Sequence, residues 1–259
     1  MSAPTKITAF VLFIALVVSA RADTWSLTTN DGSSLGKVNT VTAAGSVVGS
    51  FGTYGTYGAA FDTNGDLFAT PYTTQLGLIN QSTGAVTTIG SFGGGVGAYA
   101  IEIDSSGTAY IAGFDGHLYT VNKLTGLASM VGAGVIPAAI MDLAFDSANN
   151  LYGTVGNILY SINTTTGAAA YVSTISKGEI MALAFDSSDS LFAISYSGVG
   201  ELYQVDIPTG NATFVGNTGL YYAHGGDIQT EIVPDSVSSI GLVAASLAGL
   251  IALYRRRAA

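Results

Sequence analysis

Four times along this chain a short apolar run ends in aspartate, and the four aspartates are spaced 42, 42 and 40 residues apart. The runs are Ala59-Ala60-Phe61-Asp62, Ile101-Glu102-Ile103-Asp104, Leu143-Ala144-Phe145-Asp146 and Leu183-Ala184-Phe185-Asp186. Turn residues follow, and an aromatic stands six positions after each aspartate: Phe68, Tyr110, Tyr152 and Phe192. A third segment carries a Leu and ends in Asn or Asp, as in Leu76 to Asn80 and Leu202 to Asp206. That residue opens an Asn/Asp-x-x-Thr-Gly turn, whose short side chain caps the backbone while Gly accepts positive φ. A fourth strand-length segment closes each unit. The runs are rich in Val, Ile, Tyr, Phe and Thr, and none sustains a helical apolar period. Units of this length with four strands each predict an all-β fold, a β-propeller.

The two ends of the repeat region predict how the ring closes. The first copy lacks a first strand. Trp25 is read in the strand-two aromatic position, Leu35 to Asn39 as strand three and Ser46 to Gly49 as strand four. The missing strand is supplied by Tyr222-Ala223-His224-Gly225-Gly226-Asp227, with Asp227 placed 41 residues after Asp186. Four whole units and one shared by both ends give a five-bladed β-propeller closed by pairing of its N- and C-terminal strands. Such closure leaves no free sheet edge at the seam.

Aligning the first strands on their aspartates isolates three polar exceptions. Two positions earlier the column reads Ala60, Glu102, Ala144, Ala184 and Gly225; four positions earlier it reads Gly58, Ala100, Asp142, Ala182 and Ala223. Small residues suit the crowded axis of a ring, so Glu102 and Asp142 stand out. His224 breaks the apolar column Ala59, Ile101, Leu143, Leu183. First strands line the central channel, where two carboxylates and a His would hold a ligand or a divalent cation, or serve acid–base chemistry. The plainer alternative is that they hydrogen-bond neighbouring strands. No pattern elsewhere demands a resident cofactor. Asp62-Thr63-Asn64-Gly65-Asp66 lacks the downstream Glu of a calcium loop, and Gly93-Gly94-Gly95 has no Lys or helix to make a phosphate loop.

These repeats resemble bacterial propeller repeats of the NHL-like and DUF4394-like kind. Phe185-Asp186 with Leu191-Phe192, and Leu202-Tyr203-Gln204-Val205-Asp206 with Thr209-Gly210, carry the likeness. The resemblance implies functions that range from protein-binding scaffolds to lactonases.

The chain ends read as targeting segments flanking a propeller at residues 23–232. Residues 1–22 form a signal peptide with a signal helix: Lys6, an apolar stretch from Ile7 to Val18, and Ala20-Arg21-Ala22 as the site for signal peptidase. At the other end Val233-Pro234-Asp235-Ser236 precedes an apolar run from Val237 to Tyr254 and the cluster Arg255-Arg256-Arg257. At a rise of about 1.5 Å per residue, a helix over 237–254 is long enough to cross a bilayer core. The Arg cluster stays cytoplasmic by the positive-inside rule. Residues 233–259 resemble the PEP-CTERM sorting tails of the Val-Pro-Asp-Ser type. That resemblance implies an exosortase-type transpeptidase as partner and delivery to the cell envelope or extracellular matrix. A plain membrane anchor is the alternative reading of the same residues.

Charge narrows the partners. Between Asp23 and Ile232 there are 3 Lys against 16 carboxylates, a balance that repels phosphate backbones and excludes nucleic acid. With no Cys, thiol chemistry and disulfides are excluded as well. Two functions fit: a non-enzymatic surface propeller binding exopolysaccharide or a surface protein, or a secreted metal-dependent hydrolase, lactonase-like or glycan-acting, built on Glu102, Asp142 and His224.

Overall fold

The computed structural model describes residues 23–52, 55–137 and 139–229. The signal segment 1–22, the sorting motif Val233 to Ser236, the apolar run 237–254 and Arg255 to Arg257 lie outside the described residues. Among the described residues no helix is long and apolar enough to cross a membrane.

Among the described residues twenty strands form five four-stranded antiparallel sheets. Blade 2 holds β4 (Ala59–Phe61), β5 (Leu67–Ala69), β6 (Gln75–Ile79) and β7 (Val86–Ser91), in chain order. Blade 3 holds β8 (Ala98–Ile103), β9 (Ala109–Gly113), β10 (Leu118–Val121) and β11 (Ala128–Met130). Blade 4 holds β12 (Asp142–Phe145), β13 (Leu151–Val155), β14 (Ile158–Ile162) and β15 (Ala169–Thr174). Blade 5 holds β16 (Ile180–Phe185), β17 (Leu191–Ser195), β18 (Glu201–Val205) and β19 (Ala212–Asn217). Blade 1 is composite. β1 (Thr24–Thr29), β2 (Ser34–Asn39) and β3 (Gly45–Ser50) come from the start, and β20 (Gly226–Ile228) completes the sheet from the far end. The five inner strands β4, β8, β12, β16 and β20 touch in cyclic order, so the ring is closed.

Alternation places the core. Inner strands are almost wholly buried, whereas the outer strands β3, β7 and β19 expose their middle residues. The buried side chains form five clusters, one between each pair of adjacent blades. Phe68 and Leu76 of blade 2 meet Ile101 and Ile111 of blade 3, for example. Each fully buried Leu, Ile or Phe contributes roughly 1.5–3 kcal/mol by leaving water. That burial is the main source of stability in a fold without disulfides.

The turns follow the chemistry expected of them. Asn80 Oδ1 accepts from the amides of Ser82 and Thr83 at 3.0 Å each, and Gly84 closes the reversal with φ +80°. Asp62 Oδ1 accepts from the amides of Asn64 and Asp66, so this loop is a capped turn. Lys123 Nζ lies 3.1 Å from Asp62 Oδ2. Burial works against the Asp62 charge, but Lys123 and the two amides outweigh it and hold the carboxyl below its ordinary value.

Closure occurs in a different register from the sequence alignment, with β1 displaced by one residue and β20 by two. Ser26, not Trp25, takes the place of Phe68, and it pairs with Asp227 as Phe68 pairs with Ala60. Trp25 therefore occupies the position of Leu67, buried between blades 1 and 5. Asp227 joins the column of Ala60, Glu102, Ala144 and Ala184, and Gly225 joins that of Gly58, Ala100, Asp142 and Ala182. His224 falls in line with Tyr57, Tyr99, Met141 and Met181. Strand side chains alternate with period two, so the one-residue shift turns the β1 side chains to the other face, while the two-residue shift of β20 keeps its side chains on the same face and moves them one level along the channel. No turn connects β20 to β1, and spacing along the chain cannot set their register.

Candidate functional site

The channel has two mouths of different chemistry. At the first mouth, where the inner strands begin, Tyr57, Tyr99, Met141, Met181 and His224 stand at equivalent positions on the five blades. The Tyr57 ring packs edge-on against Tyr99 at 5.2 Å and against His224 at 4.7 Å. Phe114 extends the arc beyond Tyr99, while Tyr196 and then Tyr222 extend it beyond His224. The result is a continuous aromatic arc, with Phe114 39% and Tyr222 44% exposed.

Strained backbone holds this mouth in shape. Among the described residues, seven of the ten non-glycine residues with positive φ lie in loops on this side: Asn30, Asp31, Tyr72, Thr73, Ala139, Glu179 and Tyr222. Such conformations cost free energy and concentrate where a site is held in a fixed shape. Asn30 and Asp31, with φ +53° and +55°, bring the Asp31 carboxylate 3.2 Å from His224 Nε2. Burial pushes the His224 pKa down and Asp31 pulls it back only in part, so at neutral pH the ring is uncharged. Tyr57 is shifted up by burial, by the Asp31 charge and by Tyr99, and keeps its phenolic proton.

The second mouth, where the inner strands end, is a bowl of about 950 Å³. Its wall is the apolar ring Phe61, Ile103, Phe145, Phe185 and Ile228, and its floor holds Glu102 and Asp227. The turns around its rim clasp one another across the blades. Ser105 bonds to Asn149, Ser147 to Asp189 and Ser187 to Asp23.

Asp142 and Asp227 tie inner strands together. Asp142 Oδ2 accepts from the Leu183 amide at 2.8 Å and from the Gly226 amide at 3.3 Å, linking blades 4, 5 and 1. Its Oδ1 is buried without a hydrogen bond. A Cβ on Gly225 would lie 2.5 Å from that oxygen, which is why glycine stands there. Asp227 Oδ2 accepts from the Phe61 amide at 3.0 Å and links blade 1 to blade 2. Among the described residues Glu102 Oε1 accepts only from the amide of the next residue, Ile103.

These carboxyls are shifted toward the protonated form. Burial, then the charges of Asp227 and Asp142, push Glu102 well above its ordinary value against the Ile103 amide. Burial pushes Asp142 well above its own value, although three backbone amides oppose it. Asp227 is raised by burial to about 7, opposed by the amides of Phe61 and Ile228.

Glu102 and Asp142 therefore lie within electrostatic reach of each other, together with Asp227, which the sequence alignment had placed among the turn aspartates. His224 is engaged separately, by Asp31 and by the rings of Tyr57 and Tyr196. Among the described residues no group of three or more His, Asp or Glu side chains is arranged to hold a metal ion.

No protein-family profile and no curated protein sequence matches the chain. Its fold is similar to that of a structural-genomics protein of unknown function from Bacteroides thetaiotaomicron, with 12% identity and a TM-score of 0.56. That alignment covers 83% of this chain and 66% of the other, so the chain spans about two thirds of that neighbour's length. It is also similar to a gluconolactonase from Xanthomonas campestris, with 12% identity, 79% of each chain covered and a TM-score of 0.50. At this identity the likeness is one of fold.

Proposed function

We propose that this is an exported, non-enzymatic propeller that binds carbohydrate of the cell envelope or matrix on the aromatic arc of its first mouth. The arc carries the reading. Five aromatic rings and His224 form one connected surface around a channel mouth, and flat apolar rings with polar edges suit the faces and hydroxyls of sugars. Asp31, which is 61% exposed in its side chain, stands beside the arc as a hydrogen-bond acceptor.

The way the chain leaves the ring supports the same orientation. Asp23 and Gln229 both lie on the bowl side, Asp23 in the clasp with Ser187 and Gln229 on the bowl wall. A tail of the sorting type at 233–259 would turn the bowl toward the membrane and the arc outward. The signal-like segment 1–22 and the tail supply export and retention, with signal peptidase and an exosortase-type transpeptidase as processing partners.

Glycan-array profiling of the full chain in non-ionic detergent tests the proposal. Binding to envelope or matrix polysaccharide is expected. The Tyr57→Ala and Tyr196→Ala variants are expected to lose it while melting as cooperatively as the wild type. Binding that survives both substitutions would move the ligand off the arc.

A further inference from the structure

The bowl at the second mouth lies on the opposite side of the ring from the arc and serves no part of the function proposed above. Seven of its twenty lining residues are carboxylates, and none is Lys, Arg or His. Rim carboxylates capping their own turns explain most of that charge. Glu102 is different. It is 4% exposed and faces the bowl, and its Oε2 makes no hydrogen bond among the described residues. Across the floor it meets Asp227, with Asp142 behind on β12. From β4, β12 and β16 only Ala60, Ala144 and Ala184 stand at this level, so no described cation balances the pair.

We propose that the bowl is a binding site for a small organic amine, with its ammonium group received by Glu102 and Asp227 and its carbon skeleton by the surrounding apolar ring. An ammonium donates several hydrogen bonds to carboxylate oxygens, and such charge-assisted bonds are the strong ones. Phe61, Phe145 and Phe185 add attraction between cation and ring face. The cavity is of small-molecule size. A hard divalent ion suits the bowl less well, because it wants six to eight oxygens and would meet an apolar collar instead.

In the free protein a proton stands in for the missing cation. Asp227, raised by burial to about 7, holds it beside the upward-shifted Glu102, and the arriving ammonium displaces it to solvent. Affinity is therefore expected to rise several-fold between pH 6 and pH 8, while the amine itself stays protonated.

Isothermal titration of the full chain in non-ionic detergent with 1,4-diaminobutane tests this. Saturable binding at one site, with protons released at pH 7, is expected. Replacing the amine by 1,4-butanediol, which keeps the carbon chain and drops the charge, is expected to abolish the heat. Glu102→Gln and Asp227→Asn keep side-chain shape and an acceptor oxygen, and each is expected to weaken binding about tenfold or more. Asp115→Asn, in the β9–β10 loop on the opposite side of the ring, is expected to leave it unchanged. Binding of the diol, binding unaffected by either floor variant, or displacement of the amine by equimolar calcium chloride would each overturn the assignment. The carbohydrate reading stands or falls separately, on the Tyr57 and Tyr196 variants.

Discussion

Replacing Asp227 by Asn is expected to stabilise the protein at alkaline pH, although it removes a charge that accepts a hydrogen bond. The carboxyl ionises at about 7 in the folded ring, against an ordinary value of 3.8. At about 1.4 kcal/mol per pH unit, that displacement corresponds to about 4 kcal/mol against the charged form. Below pH 4 the side chain is protonated in both folded and unfolded chains, and no cost arises. Between pH 4 and 7 the folded chain keeps a proton that the unfolded chain has lost, so stability falls as pH rises. Above 7 the cost is complete. Glu102 shares the titration, so the two carboxyls are relieved together, and removing one charge recovers about 2–4 kcal/mol. Asn keeps an oxygen for the Phe61 amide. For a domain of this size that gain raises the melting temperature by roughly 4–16 °C at pH 8. Thermal unfolding of the full chain in non-ionic detergent, followed by circular dichroism at pH 5 and pH 8, measures it. The variant should melt above the wild type at pH 8, with a smaller margin at pH 5. A variant that melts below the wild type at pH 8, or an offset equal at both pH values, would refute the reasoning.

Asp142→Ala is expected to act in the opposite sense. It strands the buried amides of Leu183 and Gly226. At about 1–3 kcal/mol for each buried donor left unpaired, the loss is several kcal/mol, measurable as a lower midpoint in urea unfolding. Gly90→Ala places a Cβ 2.1 Å from the Thr125 carbonyl of the next blade. The blades must separate to admit it, and the melting temperature should fall, whereas Gly178→Ala, which meets nothing within 4 Å, should be nearly silent in the same scan.

The blade count and the turn chemistry were legible in the sequence because both repeat. An Asp or Asn that caps its own turn does so through local hydrogen bonds, which residue type and spacing suffice to specify. Glu102 and Asp142 were legible as carboxylates in columns of Gly and Ala. Asp227 was not, because its strand pairs with β1 without a connecting turn, and counting from Asp186 placed it two residues out of register. The aromatic mouth left a signal that strand alignment alone does not weigh. Tyr57 and Tyr99 both stand five residues before their aspartates, but ahead of the apolar runs that define the repeat. The rings joining them, Phe114, Tyr196 and Tyr222, come from loops whose approach only the closed ring creates. The clasps of Asn149, Asp189 and Asp23 are likewise contacts between successive units, invisible in a single one.

Closure through β20 also sets the timing of assembly. Trp25 and Ile228 are sheet neighbours although nearly the whole ring separates them in sequence. Blades 2 to 5 are built from hairpins of nearby residues and can form as each is completed, but blade 1 waits for the last strand. Until then β1 offers an unpaired inner edge, the amide of Phe61 lacks the Asp227 acceptor that β20 supplies, and Asp142 lacks the Gly226 amide as a donor. The segment after Gln229 follows directly on this latch. Whatever holds that segment also decides how long the open ring is exposed, because an unpaired strand edge is a template for pairing with other copies of the chain.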